Sequence, residues 1–232
     1  MRLQRYMAMA GIASRRHCET LIQEGRVTIN GKMAVLGDKV DDDIVLLDGQ
    51  LVTAIKMFRY YAFYKPSKVM TTLSDPQGRP TISSYLDAMG GRLFPVGRLD
   101  FLTEGLLLLT DDGDWAQRIA HPSHEVEKEY IVLVTGEVTQ QHMAELRTGV
   151  MLDNRLTSEA KVDKLVEEGN RTRLRITIHE GRNRQIRRML EQVGLEAVWL
   201  CRTRVGPVRL GTLKPGENRI LTPQEMTALD KK

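Results

Sequence analysis

Residues 94–113 read FPVGRLDFLTEGLLLLTDDG, and how this stretch folds decides much of the rest. Leu106-Leu107-Leu108-Leu109 is a short continuous apolar run, the pattern of a strand buried on both faces. Thr110-Asp111-Asp112-Gly113-Asp114 then reads as a turn that caps a helix starting near Trp115. Its acids lack the terminal glutamate of a calcium loop. Upstream, Asp100 follows the apolar entry Phe94-Pro95-Val96 and a break at Gly97, with Arg98 two positions before it. It is either a turn residue or an acid held on a rigid floor.

Working outward, the aromatic run Tyr60–Tyr64 suits a strand that Lys65-Pro66 ends, because proline cannot continue a central ladder. Ser74-Asp75-Pro76-Gln77-Gly78 is rich in turn formers. The loop carrying Lys65, Lys68 and Arg79 suits either an RNA contact or an ordinary surface. On the other side, His121 and His124 have no third metal ligand at a suggestive spacing, so polar loop roles are expected. Glu129-Tyr130 opens the strand YIVLVTG.

RTRLRITIHEGRNRQIRRMLEQVG, residues 171–194, alternates Leu174, Ile176 and Ile178 with polar neighbours, a half-buried strand that Gly181 breaks. Ile186, Met189, Leu190 and Val193 then make a helical stripe that Gly194 ends. At about 100° per residue, Arg187 flanks this stripe and Arg188 points nearly opposite. Arg187 is thus the helical arginine placed to reach a partly buried partner. Arg182 and Arg184, at the turn and the helix start, suit RNA phosphate, although a basic surface helix is the plainer alternative. Near the end, Thr222-Pro223-Gln224-Glu225 is a capping box with proline at N1. Long strands, few helices and turns between neighbours predict an α+β domain, a largely antiparallel sheet with helices on one side.

The first ~60 residues read as helix, helix, hairpin. Leu3, Tyr6, Met7 and Ala10 form one stripe, closed by Gly11. Ser14 suits an N-cap, and Cys18, Leu21 and Ile22 continue a second stripe to Gly25. Arg15 and Arg16 sit in the first turn, where the helix dipole disfavours cations by roughly a few tenths of a kcal/mol. Val27 and Ile29, then Met33 and Val35, alternate about the type I′ signal Asn30-Gly31. The lead-out over 51–60 has neither Gly nor Pro to announce a hinge.

The whole chain has 232 residues, 41% hydrophobic and 28% charged, ordinary for a globular protein. No apolar run approaches the ~20 residues of a membrane helix, and the N-terminus has no signal-peptide pattern. Cys18 and Cys201 form no metal or redox motif, and reduced thiols in a cytoplasm are expected. The net charge of +4 is uneven. Residues 1–32 carry Arg2, Arg5, Arg15, Arg16, Arg26 and Lys32 against Glu19 and Glu24, and residues 171–188 carry seven arginines against Glu180. Two basic clusters suit two surfaces on one polyanion; solvated faces are the bland alternative. No GxGxxG, P-loop or Ser/His/Asp order indicates nucleotide or acyl chemistry.

MRLQRYMAMAGIASRRHCETLIQEGRVTINGK resembles the alpha-L RNA-binding domain, the small fold of the fourth small-subunit ribosomal protein. That resemblance makes Ser14, Arg15, Arg16, Arg26 and Lys32 candidate RNA contacts. The remainder resembles the ribosomal RNA pseudouridine synthases of the RsuA/RluB type. The carriers, in the family's order, are YKPSKVMTT, GRLDFLTEGLLLLTDDGDWAQRIAHPSHEVEKEY, EGRNRQIRRM and RTRVGPVRLGTLKPGENR. The resemblance implies an alpha-L domain over 1–58 and a catalytic domain over 59–232 with a mainly antiparallel mixed sheet and flanking helices. It implies isomerisation of uridine to pseudouridine in rRNA, without cofactor or metal. The N1–C1′ bond breaks, the uracil turns, and C5 is rejoined to C1′.

GRLD carries over the catalytic aspartate as Asp100, KEY the active-site tyrosine as Tyr130, and QIRR the aspartate's basic partner as Arg187. Arg187 is expected to favour the Asp100 carboxylate by charge and hydrogen bonding. Lys65, Arg98, Lys128, Arg182 and Arg184 join the RNA-contact candidates. The expected partner is ribosomal RNA, a structured stem-loop, naked or in an assembly intermediate, bound by a monomer. Large-subunit rRNA is the expected target. Small-subunit rRNA is the runner-up, and a non-catalytic RNA-binding assembly factor is the rival from another class. An RNA hydrolase would want paired acids or a metal cluster, and none stands out.

Overall fold

The computed structural model describes residues 1–53, 57–90 and 92–230. Helices α1 (Leu3–Met9) and α2 (Arg15–Gln23) follow their expected stripes, with Leu3, Met7, Cys18, Leu21 and Ile22 buried. Ser14 caps α2 by accepting the His17 amide at 3.2 Å. Strands β1 (Val27–Ile29) and β2 (Lys32–Met33) form the hairpin over Asn30 and Gly31, both at positive φ as a type I′ turn requires. With β3 (Val45–Leu47) and β4 (Gln50–Leu51) they make a four-stranded sheet in the order β2-β1-β3-β4. Val27, Ile29, Val45 and Leu47 turn toward the helices. Met33 and Val35, expected as the second apolar arm of the hairpin, are both exposed. The strand ends at Met33, and Ala34 between them takes the buried place instead. Part of the expected lead-out, residues 54–56, lies outside the described residues.

The second sheet begins with β5 (Tyr60–Lys65), followed by helix α3 (Ser83–Ala88), β6 (Phe94–Val96), β7 (Glu104–Thr110) and α4 (Gly113–Ala120). Next come β8 (Lys128–Thr135), α5 (Gln140–Thr148), the tight hairpin β9 (Met151–Leu152) and β10 (Arg155–Leu156), then β11 (Lys161–Glu168) and β12 (Arg171–Ile178). The chain finishes with α6 (Gln185–Gln192), β13 (Glu196–Val205), β14 (Val208–Arg209), β15 (Asn218–Ile220) and α7 (Pro223–Asp230). Nine of these strands form one sheet, ordered β11-β12-β8-β13-β7-β5-β15, with β14 beside β13 and β6 beside β7. All its pairs are antiparallel except β13 with β7. The sheet is therefore mixed but mainly antiparallel.

The four leucines explain why helices cover both faces rather than the single face expected. Leu107 and Leu109 enter one core with Leu86 of α3, Leu146 of α5 and Met189 of α6. Leu106 and Leu108 enter the other with Trp115 and Ile119 of α4 and Leu229 of α7. Each leucine is at most 1% exposed, and burying such a side chain stabilises by roughly 1.5–3 kcal/mol. Asp112 caps α4 by accepting the amides of Asp114 and Trp115, as the TDDG turn predicts. Thr222 and Glu225 make the expected reciprocal capping box on α7.

Candidate active site

A cleft of about 550 Å³ opens where the loop between β6 and β7 meets β8, β13 and the start of α6. Asp100, Tyr130, Lys128, Arg98, Arg184 and Arg202 are among the residues that line it. The loop bearing Asp100 is pinned along its backbone. Thr71 Oγ1 donates to the Leu99 carbonyl at 2.7 Å and accepts the Leu99 amide at 3.2 Å. The Lys68 amide donates to the Phe101 carbonyl at 2.7 Å, and the Thr103 amide closes the turn onto the Asp100 carbonyl at 3.1 Å. The half-buried Asp100 carboxylate itself has no hydrogen bond or ion pair among the described residues. A fixed backbone thus carries an unengaged acid, which is what a reacting group needs.

Tyr130, the third residue of β8, is 9% exposed and offers its ring to the cleft. Arg187 lies buried behind the cleft wall, 7% exposed, on the flank of α6 that the helical stripe indicated. Its expected hydrogen bond to Asp100 is not made. Nη1 donates to the Ala197 carbonyl at 2.7 Å and Nη2 to the Leu102 carbonyl at 3.4 Å. A buried guanidinium needs acceptors, and these two backbone carbonyls meet it first. Burial lowers the Arg187 pKa, Arg184 adds to that, and the charge of Asp100 opposes it. Arg187 thus reaches the turn that carries Asp100 only at the Leu102 carbonyl, and the two side chains are coupled by charge.

The expected RNA contacts divide into free and committed groups. Arg15, Arg16, Lys32, Arg98 and Arg184 are exposed. Arg184 holds φ 49° at the N-cap of α6 rather than a helical conformation, which turns it out over the cleft. Lys128 reaches the cleft, and burial, with Arg202 nearby, lowers its pKa. Ser14 is occupied as a helix cap. Arg26 is paired with Asp48, Nε at 3.0 Å from Oδ1, and with Glu24. Arg182 ties down the β9–β10 hairpin through the carbonyls of Leu152, Arg155 and Leu156. Arg182 still borders the cleft, but its donors hold protein.

Lys65 contradicts its expected place on an exposed loop. It is the last residue of β5 and 0% exposed. Its ammonium donates to the carbonyls of Pro66 at 2.7 Å and Val69 at 2.8 Å. Burial pushes its pKa down to about 8, against the pull of Glu104 and Asp100 and with the push of Arg202. The tight Lys-Pro turn folds the side chain back under the cleft instead of into solvent. His121 and His124 do sit in polar surroundings, with His121 Nδ1 2.7 Å from Ser123 Oγ.

Two residues that matter here were not expected. Arg202 of β13 is 4% exposed, lines the cleft and donates Nε to the Leu106 carbonyl at 2.7 Å. A charged residue within the strand pattern LCRTRV was the available signal. Thr71 left none, because its two bonds to Leu99 exist only once distant segments meet. The basic module at the N-terminus touches this domain through an ion pair from Arg5 to Asp114, at the start of α4.

Comparisons with known proteins agree with this architecture. Residues 59–192 match the family model for RNA pseudouridylate synthase, and residues 1–43 match the S4 domain. The chain is 39% identical to ribosomal large subunit pseudouridine synthase B of Bacillus subtilis, over 98% of this chain and 95% of that protein. It is 41% identical to the protein of the same name from Vibrio cholerae, over 92% of this chain and 69% of that one. A crystal structure of a pseudouridylate synthase aligns with a TM-score of 0.72 at 32% identity, over 99% of both chains. The chain belongs to the RNA pseudouridylate synthase family and carries an S4 domain at its N-terminal end.

Proposed function

We propose that this enzyme converts one uridine of large-subunit ribosomal RNA to pseudouridine, with Asp100 as the catalytic carboxylate. The observation that carries the proposal is the unengaged Asp100 carboxylate on a pinned loop, facing a cleft that Tyr130 and basic side chains share. The names of the Bacillus and Vibrio relatives support ribosomal RNA of the large subunit as the substrate. A uracil in structured RNA must leave its stack to reach the cleft, at a cost of roughly a few kcal/mol. Tyr130 offers an aromatic face on which the extruded base stacks. Arg98 and Arg184, at the cleft mouth, meet the phosphates on either side. Asp100 then acts at the sugar or the base while N1–C1′ breaks and C5–C1′ forms.

Residues 1–58 act as the RNA-binding module and residues 59–232 as the catalytic domain. Arg15, Arg16 and Lys32 grip a structured stem-loop and the cleft takes the target nucleotide. A single chain supplies both surfaces, so a monomer suffices, working in the cytoplasm. Pseudouridine mapping of rRNA from cells with and without the gene tests this. Loss of one large-subunit pseudouridine supports the proposal, loss of a small-subunit one moves the target, and an unchanged map contradicts it.

A further inference from the structure

Where β8 meets β13, the cleft is lined by two cations, Arg202 and Lys128, without a counter-charge among the described residues. Arg202 is 4% exposed. Its Nε is committed to the Leu106 carbonyl at 2.7 Å, and neither Nη atom has a hydrogen bond or ion pair among the described residues. Lys128 is half-buried, and its ammonium reaches only the His179 carbonyl, at 3.5 Å. Burial and the charge of Arg202 both lower the Lys128 pKa, and no acid opposes them. Arg204, two residues further along β13, shows the ordinary alternative, held by Glu127 at 3.1 Å and Glu129 at 3.7 Å. Of the acids lining the cleft, Asp100 is unengaged and Glu180 is paired with Arg182 at 3.4 Å. A buried charge is unstable until an opposite charge meets it. The register sets both cations beside Tyr130. Arg202 is its cross-strand partner, and Lys128 lies two residues before it, on the same face of β8.

We propose that Arg202 and Lys128 form an anion subsite that takes the phosphate of the nucleotide whose base stacks on Tyr130. The two free Nη groups of Arg202 form the end of a planar fork that matches a pair of phosphate oxygens, and Lys128 adds a point charge. A single phosphodiester answers both cations and screens them from each other. A uracil ring enters neutral and would leave them unbalanced in the bound complex. Arg98 and Arg184, at the cleft mouth, are left for the neighbouring phosphates. The inference rests on the RNA reading of the cleft, because the anion belongs to a polynucleotide.

The test uses the full chain. Equilibrium binding is measured for uridine, uridine 5′-monophosphate, uridine 3′-monophosphate and large-subunit rRNA purified from cells lacking the gene, with kcat measured on that rRNA. At least one monophosphate binds the wild type about tenfold or more tightly than uridine, as a charge-assisted contact requires. In Lys128→Met and Arg202→Met that advantage falls to within about threefold. For each variant the rRNA Kd rises about tenfold, the slope of log K against log salt falls by about 0.7, and kcat stays within about threefold. Lys128→Met removes a charge that has no partner at rest, so its melting temperature is unchanged or raised. It carries the test if Arg202→Met, which strips the Leu106 carbonyl of its donor, does not fold. Equal binding of uridine and both monophosphates to the wild type overturns the subsite, as does a Lys128→Met protein that keeps the preference. A fall in kcat with rRNA affinity and salt slope unchanged also overturns it, and assigns the cations to charge developing on the uracil instead. A wild type that prefers a monophosphate but forms no pseudouridine keeps the subsite and overturns the isomerase reading.

Discussion

At the scale of the residue, three charges around the site, on Lys65, Arg187 and Arg202, are held away from water. Lys65 is the sharpest case. Its pKa is about 8 in the folded protein and 10.5 ordinarily, so between those values the unfolded chain binds more protons. Stability is therefore depressed below pH 8 and recovers as pH rises toward 10.5, by about 2 kcal/mol after discounting for residual solvation. Urea unfolding at pH 7.5 and pH 10 measures this. Lys65→Met removes that rise, and a variant with the same pH dependence as wild type would contradict the account. The buried place of Arg187 was legible from its helical angle, whereas Asp100 was singled out only through the resemblance of GRLD. The inward course of Lys65 was not, because only the β5–β7 pairing and the following turn decide that its ammonium meets the Pro66 and Val69 carbonyls.

At the scale of the element, the critical junction is the parallel contact of β7 with β13, where Gly105 faces Arg202. Gly105 has φ 102°, and a Cβ there would lie 2.3 Å from the Arg202 carbonyl oxygen. Gly105→Ala is expected to cost more than about 3 kcal/mol, from backbone strain and a clash with backbone that cannot yield. A denaturation midpoint near wild type would contradict this. The strand at Leu106–Leu109, the stripe of α6 and the three expected helix N-caps, at Ser14, Asp112 and Thr222, were legible because each is local. Helix α5 and the β9–β10 hairpin, which turns through Asp153 and Asn154 at positive φ, were not read. The periodicity of α5 is broken over a short span, and the hairpin strands are two residues each.

At the scale of the whole molecule, the chain joins an S4 module to a cleft where Asp100 is the one unengaged acid among the described residues. The two basic clusters seen in the sequence fall on these two parts, but only some of their members are available. Arg15 and Arg16 are exposed and unpaired among the described residues, whereas Arg26 and Arg182 hold protein together. Arg15→Ala and Arg16→Ala should each weaken RNA binding, reduce the slope of log K against log salt by about 0.7–0.9, and leave the melting temperature unchanged. A binding titration across salt concentrations checks this, and an unchanged slope removes these arginines from the interface. The side of the sheet that helices cover was misjudged because alternation along one strand cannot say how many layers will pack on it. The most direct measurement is pseudouridine formation by Asp100→Asn on large-subunit rRNA from cells lacking the gene, with RNA affinity measured alongside. The account predicts RNA binding within about twofold of wild type and no detectable pseudouridine, the reacting oxygen being replaced without loss of shape. Retained turnover by that variant would contradict it.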